Sequence, residues 1–95
     1  MHLTISEDDG QVGHRAGRIE RLLLDRLGPD TAAVDRVIID IARRDDVTRC
    51  WLKAELTSGR TIVLAEDGPH AMAACTSATH RLREMIDLRR PVQVG

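Results

Sequence analysis

Arg15, Arg18, Arg21 and Arg26 follow one another at intervals of three, three and five residues. On a helix advancing about 100 degrees per residue, that spacing sets all four to one side of an apolar stripe, with Glu20 on the other side. A guanidinium presents a planar fork of N–H donors that matches phosphate oxygens, so a basic flank of this kind suits a nucleic-acid backbone. Asp25 lies among these arginines, four residues after Arg21. It allows a second reading, a solvated face tied together by weak helical ion pairs. A later helical pattern carries Arg81 and Arg83, then Arg89 and Arg90 in its final turn. Cations there also complement the helix dipole, which explains them without a ligand.

Arg36, Arg49, Trp51 and Lys53 alternate with apolar neighbours and are predicted on the open face of a sheet, with Asp40 and Glu55 among them. Trp51 is the only aromatic residue in the chain. Stacking on a base or burial in a partner interface would use its area, as would lying flat against the aliphatic stems of Arg49 and Lys53. One ring cannot form the multi-base platform of a sheet-face RNA reader. His70, Cys75 and His80 resemble metal ligands, but steps of five residues turn them about 140 degrees apart on a helix, so they do not converge on one ion. The chain has no nucleophile elbow, no zinc-protease helix and no glycine-rich phosphate loop, and Asp8-Asp9 and Asp45-Asp46 read as turns. No catalytic set, metal site or cofactor is expected, and no small-molecule substrate.

The elements that hold these residues follow from changes in hydrophobic period. Met1 to Ser6 alternates, with Leu3 and Ile5 on one side. Val12, Ala16, Ile19, Leu23 and Leu27 recur at helical spacing, and Gly10, Gly13 and Gly17 delay the regular helix to near His14. Asp9 is the expected cap, and Gly28-Pro29-Asp30 the expected stop. Alternating runs follow at Asp35 to Arg43, Thr48 to Thr57 and Arg60 to Glu66, the last without a clear inner face. Ala71, Cys75, Ala78, Leu82 and Ile86 return to helical spacing, with Pro69 at or near the helix start. This order predicts an α+β fold, a two-layer βαβββα sandwich with a four-stranded mixed sheet and two helices on one face. The first two strands are expected to be parallel and the later pairs to be antiparallel hairpins.

Ninety-five residues suit one domain, 1–95, with a frayed tail over 91–95. Composition is that of an ordinary soluble protein, 42% apolar and 31% charged, without a run long enough to span a bilayer. The start of the chain lacks the pattern of a signal peptide, so a cytoplasmic location is expected. Cys50 and Cys75 occupy core-facing positions and read as small hydrophobes. The formal charge is −1, and all but one of the fourteen basic residues are arginine, so clustering rather than net charge must supply any affinity for a polyanion.

Several short segments then stand in one order: Met1-His2-Leu3-Thr4-Ile5-Ser6, Lys53-Ala54-Glu55-Leu56, Ser58-Gly59, Leu64-Ala65-Glu66-Asp67, Met72-Ala73-Ala74-Cys75 and Arg81-Leu82. In these the chain resembles the short, single-domain hibernation-promoting factors of bacterial ribosomes, a family that includes ribosome-associated inhibitor A and is also labelled sigma-factor modulation protein. The resemblance runs from Met1 to about Arg90. It implies the same βαβββα fold and a stress or stationary-phase factor that binds the small ribosomal subunit and its rRNA, occupies the decoding channel and inhibits translation. By that resemblance Arg15, Arg18, Arg21, Arg26, Arg49, Lys53, Arg81, Arg83, Arg89 and Arg90 are the expected RNA contacts. The chain departs from the family at Gly17, where arginine is frequent, at Leu23, where lysine is frequent, at Met72, where an aromatic stands, and in its sparse basic tail. The alternative is a non-catalytic protein-interaction module on this fold, working through Trp51 or a sheet edge.

Overall fold

Leu3 and Ile5 alternate with polar residues along β1 (His2–Glu7), and that alternation aligns it with β2 (Val34–Arg44). The two strands pair in parallel, with Leu3 beside Val37 and Ile5 beside Ile39. The computed structural model describes residues 1–7 and 12–88. Between these strands run α1 (Val12–Leu27) and a 3-10 segment over Gly28–Ala33. β3 (Val47–Leu56) returns antiparallel along β2, β4 (Thr61–Gly68) returns along β3, and α2 (Ala71–Leu88) follows. The sheet order is β1-β2-β3-β4, a mixed four-stranded sheet in the βαβββα sequence.

Strand alternation assigns the two faces. Val37, Ile39 and Ile41 of β2, Cys50, Leu52 and Ala54 of β3, and Ile62 and Leu64 of β4 point to the covered side. There they meet Ile19, Leu23 and Leu27 of α1 and Ala74, Cys75, Ala78, Leu82 and Ile86 of α2 in one core. The inner face of β4, ambiguous in the sequence, is therefore the Ile62–Leu64 side, and Val63 is left 66% exposed. Cys50 and Cys75 are fully buried free thiols with their sulfurs 3.8 Å apart. That contact, and then burial, push the Cys50 thiol up, so it behaves as a small core residue.

The structure corrects several boundaries. Helix α1 starts at Val12 rather than near His14. Glycine in a helix costs about 1 kcal/mol, whereas burying each of Ile19, Leu23 and Leu27 contributes about 1.5–3 kcal/mol, so packing prevails. Gly28, with φ of 53°, ends α1 as expected, but the chain then continues into the 3-10 segment, whose six residues carry no periodic signal. β4 extends to Gly68, which pairs with Thr48. The absence of a side chain at Gly68 matters, because a Cβ there would lie 2.7 Å from the Ala74 backbone nitrogen. Helix α2 is capped by His70, whose Nδ1 accepts the Ala73 N–H at 3.2 Å, so Pro69 precedes the cap instead of opening the helix. The expected Asp9 cap and the tail 91–95 lie outside the described residues. Among those described, no helix is long and apolar enough to cross a membrane.

Candidate nucleic-acid interface

Helix α1 buries Ile19, Leu23 and Leu27, and this fixes which way its arginines point. Arg18, Arg21 and Arg26 are exposed, and none has a carboxylate within 4.0 Å among the described residues. The Arg21–Asp25 pair that the spacing allows is not formed at that distance. Arg15 is engaged differently: it donates to Glu7, a carboxylate on the covered face of β1 whose side chain is only 5% exposed. The α1 flank therefore offers three cations with no carboxylate within 4.0 Å among the described residues and one that is already paired.

On α2 the arginines divide. Arg81 lies 3.5 Å from Glu66 of β4, while Arg83 has no carboxylate partner among the described residues. Two residues apart on a helix, they point about 200 degrees from each other and share no face. His80 pairs with Glu84 at 2.8 Å, His70 caps the helix and Cys75 is in the core, so these three occupy separate environments. Arg89 and Arg90 lie outside the described residues.

Arg49, Trp51 and Lys53 stand on the opposite, uncovered face of the sheet. Arg49 makes a bidentate pair with its cross-strand neighbour Asp67, Nε to Oδ1 at 2.7 Å and a terminal nitrogen to Oδ2 at 3.2 Å. The pair holds the Asp67 carboxyl below the usual carboxylate range, chiefly through the hydrogen bond from Arg49. The same guanidinium lies 5.7 Å from the centre of the Trp51 ring. Trp51 is thus held as a cation–π partner and still remains 39% exposed. Lys53 lies 4.0 Å from Glu55. Arg36 stands opposite Glu55 across the β2–β3 ladder. Beside Trp51 is a hollow of about 390 Å³ lined by Ala42, Arg44, Val47, Arg49 and Asp67. Arg44 was not singled out in the sequence, although it has the same outward parity on β2 as Arg36.

The candidate contacts therefore form two surfaces. The helical side carries Arg15, Arg18, Arg21, Arg26, Arg81 and Arg83, and the open sheet carries Arg49 and Lys53 around Trp51. Phosphate binding is best served by the unengaged guanidinium groups, because a cation already paired with a carboxylate must first give that partner up.

No protein-family profile matches the chain, and no curated protein sequence does. Among solved structures, the chain is similar to the Protein Y N-terminal domain of Thermus thermophilus, with a TM-score of 0.80 at 14% identity over 95% of this chain and 100% of that one. It is also similar to a ribosomal subunit interface protein from Coxiella burnetii, with a TM-score of 0.79 at 14% identity over 93% of this chain and 96% of that one. The fold is the one these two chains share.

Proposed function

We propose that this protein binds the small ribosomal subunit and its rRNA, occupies the decoding channel and inhibits translation in stressed or resting cells. The observation that carries the reading is likeness in fold, along nearly the full length of both chains, to a ribosomal subunit interface protein. The ordered segments that resemble hibernation-promoting factors point the same way. Arg18, Arg21 and Arg26 supply the surface, with Arg83 as an isolated addition and Arg15 held at the border by Glu7. Contacts of this kind go to phosphates, so they position the protein on RNA without reading bases. The role is one of binding, not chemistry.

In lysates of stationary-phase cells the protein is expected in small-subunit fractions, and added to a cell-free translation reaction it is expected to reduce synthesis. Its absence from ribosomal fractions would contradict the proposal.

A second reading is favoured by the open sheet face, where Trp51, Val63 and Val47 remain exposed while Arg49 and Lys53 are paired with Asp67 and Glu55. On this reading the face docks a protein partner, and Trp51→Ala weakens the complex without altering its salt dependence. Binding with a steep salt dependence and no effect of Trp51→Ala would exclude it.

A further inference from the structure

Glu7 and Thr31 are the described residues that bury a side-chain oxygen without a hydrogen-bond partner, and Glu7 is the one that lines a cavity. Strand alternation turns Glu7 to the covered face, opposite Ile41 in the β1–β2 ladder. One carboxylate oxygen accepts from Arg15, while the other, Oε2, is buried with no hydrogen-bond partner among the described residues. A buried acceptor without a donor costs about 1–3 kcal/mol, so the site favours anything that brings an N–H or O–H to it.

What surrounds Glu7 is a pocket and not a sealed core. A cavity of about 230 Å³ is lined by Glu7, Arg15, Ile41, Arg43, Thr48, His70 and Ala71. Its chemistry is uneven in a useful way. Among the described lining residues, Arg15 is paired with Glu7 and Arg43 is a cation without a carboxylate within 4.0 Å. The N-terminus of α2 lies at the wall, where the N–H groups of Ala71 and Met72 precede the first intrahelical bonds, that of Ala73 being taken by the His70 cap and that of Ala74 by the His70 carbonyl. Arg43 is exposed and, among the described residues, is held only by a 3.4 Å bond from Nε to the Asp45 carbonyl, so its terminal nitrogens have no partner there. Anionic oxygens are thus favoured at the helix end of the cavity, and a hydroxyl donor at Glu7.

We infer that this pocket binds a ribose phosphate unit, with the phosphate between Arg43 and the start of α2 and the ribose 2′-hydroxyl donating to Glu7 Oε2, while Arg15 stays paired with Glu7. A carboxylate that accepts from a sugar hydroxyl favours ribose over deoxyribose, because the sugar lacking that hydroxyl leaves the buried oxygen unserved. Two sources present the same chemistry, a free ribonucleotide and the backbone of an RNA chain. The pocket is separate from the Arg18, Arg21 and Arg26 flank and does not depend on ribosome binding.

The test is an NMR titration of the isotope-labelled full chain with inorganic phosphate, adenosine 5′-monophosphate, its 2′-deoxy counterpart and short RNA and DNA oligomers. Shifts are expected at Glu7, Thr48, His70, Ala71 and Met72, with the ribonucleotide bound about tenfold more tightly than the deoxynucleotide. Glu7→Gln is expected to narrow that preference. Arg43→Ala, at an exposed position that folding does not need, is expected to weaken every phosphate-bearing probe. Saturation by the mononucleotide assigns the pocket to a free ligand, whereas shifts with RNA alone assign it to a chain, and either supports the site. Equal affinity for ribose and deoxyribose forms, or no shift at these residues, overturns the inference. A variant with Arg18, Arg21 and Arg26 changed to Gln should keep these shifts even if it no longer binds subunits, which separates the two failures.

Discussion

Arg49 shows how one side chain can be read two ways until its neighbours are placed. Alternation puts it on the open face and the family resemblance makes it an expected RNA contact, but its cross-strand neighbour is Asp67, and the guanidinium is committed to that carboxylate and to the Trp51 ring. The Asp67 carboxyl is held below its ordinary range, so whatever stability the pair contributes is present above the unfolded carboxylate pKa and is lost as pH falls through the lowered folded value. Both side chains are exposed, so the effect on folding is small and the titration itself is the useful readout. By NMR, Asp67 in the wild type is expected to titrate below a typical aspartate, and Arg49→Gln is expected to return it upward. An Asp67 that titrates normally in both proteins would show that the pair does not persist in solution.

At the scale of elements, much was legible because one-sided burial imposes a period. The stripe Ile19, Leu23 and Leu27, the alternation through Cys50, Leu52 and Ala54, and the spacing of Cys75, Ala78 and Leu82 each named both the element and its buried face. The 3-10 segment was not legible, since Gly28–Ala33 has no repeat long enough to register. The engagement of the arginines was not legible either. Arg15 with Glu7, Arg49 with Asp67 and Arg81 with Glu66 are pairings across elements, and a single helix or strand pattern carries no record of its tertiary neighbour. Gly68 lets the start of α2 approach β4, a tertiary role that no local pattern records. Gly68→Ala is expected to destabilise the protein by about 1–3 kcal/mol in denaturant titration, because the added methyl meets backbone rather than a flexible side chain. Leu82→Ala, which opens a cavity in the fully buried core, is expected to cost about 2–5 kcal/mol. A neutral Gly68→Ala variant would mean that the helix start can move away from the strand without penalty.

For the molecule as a whole, the formal charge of −1 hides a division of labour. Carboxylates engage Arg49 and Lys53 on the open sheet and Arg15 and Arg81 in the helical layer, while the outer flank of α1 keeps Arg18, Arg21 and Arg26 without a carboxylate within 4.0 Å among the described residues. On the proposed reading, binding to the subunit draws on that flank, and it depends on the helix packing that holds the flank outward. The most direct test is the affinity of the full chain for purified small ribosomal subunits across a range of salt concentrations, beside a variant with Arg18, Arg21 and Arg26 changed to Gln. The logarithm of the wild-type affinity is expected to fall linearly with the logarithm of salt concentration, by about 0.7 to 0.9 per phosphate contacted, and the variant is expected to bind more weakly with a slope flatter by about two to three. Equal affinity and equal slope for the two proteins would contradict the account.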